Sequence, residues 1–209
     1  MIYLIITACI QNWYGIQNAD QRKKEYLSAI TETLTHLPST IQPVIVENNG
    51  KRLTYLDEFQ HNGTFVPVLY TTNNKRYLSH KGMIELLDIK EVIQEYKIKD
   101  DDMIIKLTGR YTVKSPLFFA TVLDDTTHTD AFVAFLNAHT MQWDPYDCVL
   151  GLYACTAELL LGWSHLTINY SSAEVAFARH IRKHAQRIHD MSVLDVECTF
   201  SDTGRKVRI

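Results

Sequence analysis

The chain predicts an α/β fold, a mostly parallel central sheet flanked by helices. Three observations carry this. Apolar, β-branched runs alternate with amphipathic stretches through the first half. Those runs are continuously apolar, as in strands covered on both faces. The 209 residues, 46% hydrophobic and 22% charged, have the size and make-up of a globule that can bury such a sheet. Strand–helix alternation then puts helices on both faces.

The first strand is "IYLIITACI". It opens the chain without the basic flank of a signal peptide, and its apolar run is at the short end for one. After a polar loop, "DQRKKEYLSAITETLTHL" reads as a helix, with Asp20 a possible N-cap and Tyr26, Leu27, Ile30 and Leu34 on one face. "PVIVENNG" is a second buried strand ending in a turn-forming Asn-Asn-Gly. "FVPVLYTTNN" is a short third strand that Pro67 confines to an edge or an irregular position. "SHKGMIELLDIKEVIQEY" is the second helix and "MIIKLTG" the fourth strand.

The second half is less regular. "DAFVAFLNAH" suits a strand or a short helix, and "CVLGLYACTAELLLGW" a strand turning into a helix. "YSSAEVAFARHIRKHAQRIHD" is a helix capped by Ser171 or Ser172, with Phe177, Ile181, Ala185 and Ile188 as its stripe. "LDVECTF" is the last expected strand. With no repeat, low-complexity segment or linker, one domain over 1–209 is the simplest organisation.

Composition excludes several classes. A net charge of −3 supplies no global field toward nucleic acid or an anionic membrane, so any anion site must be local. No run approaches the ~20 apolar residues of a membrane span. Cys9, Cys148, Cys155 and Cys198 form no CxxC pair, and three sit in apolar runs. They read as reduced core thiols, which points to a cytoplasmic setting. Dinucleotide, P-loop and GxSxG hydrolase fingerprints are absent.

In open α/β sheets, ligands bind beyond the carboxyl ends of the strands. Those ends are Thr7-Ala8-Cys9, Glu47-Asn48-Asn49-Gly50 and Thr108-Gly109-Arg110. If the strands are parallel, one rim gathers small residues, amide and carboxylate groups, and a guanidinium. That set suits a nucleotide. Arg110 can grip phosphate with two N–H groups, and Gly109 lets backbone approach a ligand. Arg110 would otherwise cap a helix or pair with Asp100–Asp102. Lys106, inside an apolar run, is either an edge residue with a buried stem or a phosphate ligand. Lys81 and Gly82 lie at a helix start, where anions are favoured.

"IVENNG…TYLDEF", "KGMIELLDI" and above all "DDMIIKLTGRY" resemble small GT-A-type glycosyltransferase-like proteins of large DNA viruses and bacterial surface-polysaccharide loci. The resemblance covers residues 1 to 120 and reaches weakly to "SSAEVAF". It implies transfer of a sugar from a nucleotide-sugar donor to a glycan or glycoprotein acceptor, in the cytoplasm, or the host cytoplasm if viral. Residues 1–120 would be the donor half and 121–209 the acceptor half. Thr7 and Ala8 would line the base pocket, and Glu47 and Asn48 the base or ribose. Lys81, Gly82, Lys106 and Arg110 would lie near the diphosphate or donor sugar.

The sequence departs from that family where an Asp-x-Asp would hold Mn²⁺ or Mg²⁺. Thr108-Gly109-Arg110 stands there, and Asp100–Asp102 precede the strand, at the opposite rim. Arg110, with Lys106, would then neutralise the diphosphate in place of a metal. Asp124-Asp125 are the alternative, displaced metal site. Glu174 is the candidate general base, although Ser171-x-x-Glu174 also fits a capping box. Asp130, Asp144, Asp147 and Glu158 are further candidates. His180 and His184 have metal-ligand spacing but sit on a basic face. Trp13 and Tyr14 would stack on a base or sugar or anchor their loop. Trp143 and Trp163 would form an acceptor platform or pack in the core. A binding module without turnover and a nucleotidyltransferase remain the alternative functions.

Overall fold

The computed structural model describes residues 1–13, 18–78, 80–126, 128–137, 140–164, 172–199 and 204–209. A seven-stranded sheet forms its centre. The strands are β1 (Ile2–Ala8), β2 (Gln42–Glu47), β5 (Val68–Tyr70), β6 (Met103–Thr108), β8 (Ala131–Val133), β11 (Leu152–Thr156) and β12 (Ile188–Asp190). Their order is β12-β8-β11-β6-β1-β2-β5. β1, β2, β5 and β6 run parallel, and β11 alone runs antiparallel to its neighbours β6 and β8. In β1, Leu4 and Ile6 enter one core and Tyr3 and Ile5 the other, so both faces are covered.

Helices α1 (Ala19–His36) and α3 (Leu117–Asp125) cover one face. Helices α2 (Lys81–Glu95), α4 (Ala157–Gly162) and α5 (Ala173–His184) cover the other. α1 is capped by Asn18, whose side chain accepts from the Gln21 N–H, and Asp20 lies within its first turn. Three small sheets border the main one. They are the hairpins β3 (Gln60–His61) with β4 (Thr64–Phe65) and β9 (Leu136–Asn137) with β10 (Gln142–Trp143), and the order β14-β13-β7. In that last sheet β7 is Thr112–Val113, β13 is Val196–Thr199 and β14 is Lys206–Arg208.

The third expected strand is short and sits at the sheet edge, as Pro67 requires. "DAFVAFLNAH" is strand at its start. Three expectations need correction. α5 stops at His184, so Ala185 caps it and Ile188 begins β12. The apolar period continues past the helix because β12 joins the same core. "LDVECTF" is not the last strand: β13 leaves the main sheet, and β14 follows it. Lys106 is not at an edge, since β6 lies between β1 and β11. No helix among the described residues is long and apolar enough to cross a membrane.

Candidate active site

A cavity of about 410 Å³ opens at the carboxyl ends of β1, β2 and β6. Its wall includes Asn48, Lys81, Gly82, Lys106, Arg110 and Glu174, so six of the ten expected site residues come together there. They arrive from both halves of the chain. α2 and α5 meet closely because residue 82 is glycine; a Cβ there would lie 2.2 Å from the Ala173 Cβ. That contact sets the first turn of α5, with Glu174, beside the start of α2. Ser172 caps α5 by accepting from the Val175 N–H. Glu174 is therefore the second helical residue, not the partner of a capping box; Ser171 lies outside the described residues.

The other four expected residues stand behind the wall. Thr7 and Ala8 are buried in the sheet, and Cys9 is the β1-end residue that reaches the cavity. Gly109 serves chain packing: its N–H donates to the Thr7 carbonyl at 2.9 Å, and a Cβ would crowd that oxygen and the Tyr26 ring. Glu47 is fully buried and accepts from the Ile10 N–H at 3.3–3.4 Å, tying down the loop after β1. Burial pushes its carboxyl up to about 7.

Behind Asn48 lies Asp88, also fully buried. It accepts from Asn48 Nδ2 at 2.9 Å, Thr71 Oγ1 at 2.6 Å and Asn73 Nδ2 at 2.9 Å. Burial outweighs these bonds and pushes Asp88 up to about 6. Because a carboxylate only accepts, the Asn48 amide turns its N–H₂ inward. Its Oδ1 is buried without a donor.

The cations of the wall differ in their partners. Arg110 donates through NH1 to Glu25 Oε2 at 3.1 Å, while its Nε is buried without a partner. Arg22, 2% exposed, donates through Nε to the Cys9 carbonyl at 2.9 Å and through NH2 to the Tyr26 hydroxyl at 3.2 Å. Its NH1 is buried and unpartnered, and no described carboxylate forms an ion pair with it. A buried cation without a counter-charge costs several kcal/mol unless an anion arrives. Lys106 is the opposite case. Its ammonium meets Glu85 Oε2 at 2.6 Å, Thr108 Oγ1 at 2.6 Å and the Leu150 carbonyl at 2.9 Å. Lys106 thus has two hydrogen bonds and a carboxylate counter-charge inside the protein, where Arg22 has no counter-charge among the described residues.

Arg22, Tyr26 and Glu85 were not among the expected site residues. Arg22 had a signal: it lies four residues before Tyr26, on the buried stripe of α1, and so cannot belong to the solvated face of "DQRKKEY". Glu85 had none, because its meaning depends on a lysine from a different strand.

The remaining candidates lie elsewhere. Asp100 and Asp101 line a second cleft at the opposite rim, together with Thr126, Thr129, Asp130, Glu158, His180 and His184. Asp124 and Asp125 end α3 next to that cleft, away from the main cavity, and Asp125 accepts from Thr129 Oγ1 at 2.7 Å. Asp130 accepts from Gln186, Arg187 and the Arg187 side chain. Asp144 and Asp147 cap local turns. His180 is tied to the Leu159 carbonyl and stacks on Trp163, which is buried in the core. Trp163 is thus no acceptor platform, whereas Trp143 is 63% exposed and donates to Asp190. Trp13 donates to the Asn74 carbonyl and carries the Arg76 guanidinium on its ring. Tyr14 lies outside the described residues.

The donor set does not fit a divalent cation where an Asp-x-Asp would hold one. A guanidinium occupies that place, and one oxygen of Glu85 in the same wall is already paired with Lys106. Among the described residues no group of three or more His, Cys, Asp or Glu is arranged to hold a metal ion.

No protein-family model and no curated protein sequence matches the chain. Solved structures do. TarS 1–349 from S. aureus superposes with a TM-score of 0.56 at 14% identity, over 92% of this chain and 58% of that one. The galactosyltransferase LgtC, in complex with donor and acceptor sugar analogues, gives 0.55 at 10% identity, over 90% of this chain and 73% of that one. The chain has a GT-A fold. A197 from STIV is similar in extent as well, with a TM-score of 0.52 at 13% identity over 100% of this chain and 94% of its own. By contrast, this GT-A chain spans little more than half of the TarS fragment.

Proposed function

We propose that the protein is a glycosyltransferase that moves a sugar from a nucleotide-sugar donor to a glycan or glycoprotein acceptor. One observation carries the reading. Two buried guanidiniums, Arg22 and Arg110, line a cavity at the carboxyl rim, each with an N–H lacking a partner, and among the described residues only one carboxylate pairs with them. A diphosphate supplies the missing charge and acceptors. The LgtC structure, with its sugar analogues, supports the class on the same fold.

The nucleoside would lie toward Asn48, whose orphaned Oδ1 calls for an N–H or O–H donor. Lys81 and Gly82, at the start of α2, would add a helix N-terminus facing the anion. Glu174 would act as general base. The acceptor oxygen attacks the anomeric carbon and its proton passes to Glu174. The bond from that carbon to the diphosphate oxygen breaks, and the charge released onto the diphosphate meets Arg22 and Arg110. The guanidiniums would do without a metal the work assigned to one in the Asp-x-Asp enzymes.

The test is a thermal-shift and calorimetric screen of UDP, GDP, CDP and dTDP with and without Mn²⁺. At least one should raise the melting temperature equally in both conditions. Arg22→Ala and Arg110→Ala should each weaken that nucleotide about tenfold or more, the worth of a lost charged hydrogen bond. A panel in which no nucleotide binds would falsify the reading.

A further inference from the structure

The pairing of Lys106 with Glu85 changes what this wall of the cavity can bind. Lys106 and Glu85 both line that wall, with Thr108 between them. A lysine at the end of a strand suggests a phosphate ligand, but the charge of this ammonium is already paired with Glu85, and Thr108 and Leu150 accept from it. What the wall presents instead is Glu85. One of its oxygens, Oε2, is held by Lys106 at 2.6 Å. The other, Oε1, has only the Thr108 hydroxyl at 3.5 Å, at the limit of a hydrogen bond. The side chain is 25% exposed, and that exposure lies in the cavity wall. Glu85 is therefore a cavity-wall carboxylate with one oxygen held by a buried cation and the other only weakly engaged.

We propose that Glu85 reads a hydroxyl of the transferred sugar and limits the donor to neutral sugars. The inference rests on the reading of the cavity as a nucleotide-sugar site and adds the class of sugar it takes. The cavity is chemically divided. Its α1 side offers N–H groups of Arg22 and Arg110 and receives the diphosphate. Beyond Lys81 and Gly82, which face the same anion, the next turn of α2 offers the Glu85 oxygen and receives O–H groups. A sugar bearing a carboxylate would set like charges against each other in a partly desolvated space, which is disfavoured. Lys106 does not relieve that repulsion, because its charge is already paired, and Lys81, one turn before Glu85, is engaged by the diphosphate in this reading. Lys106 and Thr108 are positioning residues in this account, acting only through Glu85.

The experiment compares, on the intact chain, the Kd of the bare nucleoside diphosphate that binds with those of its sugar conjugates. If UDP is that nucleotide, the conjugates are UDP-glucose, UDP-galactose and UDP-glucuronate. In the wild type at least one neutral conjugate should bind about tenfold more tightly than UDP. UDP-glucuronate should bind no better than UDP. Glu85→Ala should erase the neutral-sugar gain, and because it leaves the Lys106 ammonium unpaired beside the cavity the UDP affinity should hold or rise. Glu85→Gln, which keeps an oxygen for Lys106, should lessen the discrimination against glucuronate. A wild type that binds UDP-glucuronate as tightly as the neutral conjugates overturns the proposal, whatever the variants do. So does a Glu85→Ala or Glu85→Gln protein that keeps the full preference. If no nucleoside diphosphate binds at all, the failure belongs to the nucleotide-sugar reading, and the two results are distinguished at the first step.

Discussion

Arg22 and Lys106 are both buried cations beside one cavity, and only Lys106 meets a carboxylate. That difference assigns the first to the ligand and the second to the protein. The pairing was not legible in the sequence, where Lys106 stood out inside an apolar run and the place of Arg22 on the stripe of Tyr26 was its one signal among the charges of "DQRKKEY". A residue's partners come from other strands and helices, so the sequence located the charges without saying which were already paired. Glu174 was legible because it follows a capping serine at a strong helix start, and the structure brings it to the cavity wall. Glu174→Gln should lower turnover by at least about 100-fold, the usual worth of a general base, while donor affinity is unchanged. Single-turnover kinetics beside calorimetry would separate the two effects; an unaltered rate would move the base elsewhere.

At the scale of elements, the end of β2 gathers buried carboxyl groups. Glu47 and Asp88, from β2 and α2, each lie at 0% exposure. Their carboxyls are pushed up to about 7 and about 6. A raised carboxyl keeps its proton in the folded state after the unfolded chain has released it, so it costs stability as pH rises. For Glu47 the window runs from its ordinary 4.5 to about 7. At about 1.4 kcal/mol per pH unit, the cost is on the order of 3 kcal/mol. Glu47→Gln, which still accepts from Ile10, should therefore gain stability relative to the wild type across that window, and the difference should level off above it. Urea titrations at several pH values would show it; a difference that does not vary with pH would mean that Glu47 is ionised throughout. The strand itself was clear from "PVIVENNG", since continuous apolar runs identify buried strands. The direction of its terminal carboxylate was not clear, because that depends on a loop returning from β1.

For the whole molecule, the alternating first half announced the parallel part of the sheet, and the ends of β1, β2 and β6 do converge on one rim. The second half was harder to read. Short strands such as β8 and β12 contribute three residues each, and β13 and β14 leave the main sheet for another. Three-residue strands carry too little periodicity to separate from helix or loop. The reversed β11 then carries the chain away from the rim and into α4, so the return to the cavity falls to α5.

The pairing of Glu25 with Arg110 and of Glu85 with Lys106 also constrains any attempt to retrofit the common metal motif. A chain rebuilt with aspartates at 108 and 110 would set new carboxylates near Glu85 and Glu25, with one guanidinium removed. Its melting temperature should fall without divalent ions and recover in millimolar Mn²⁺, making the cation a structural requirement of the altered rim.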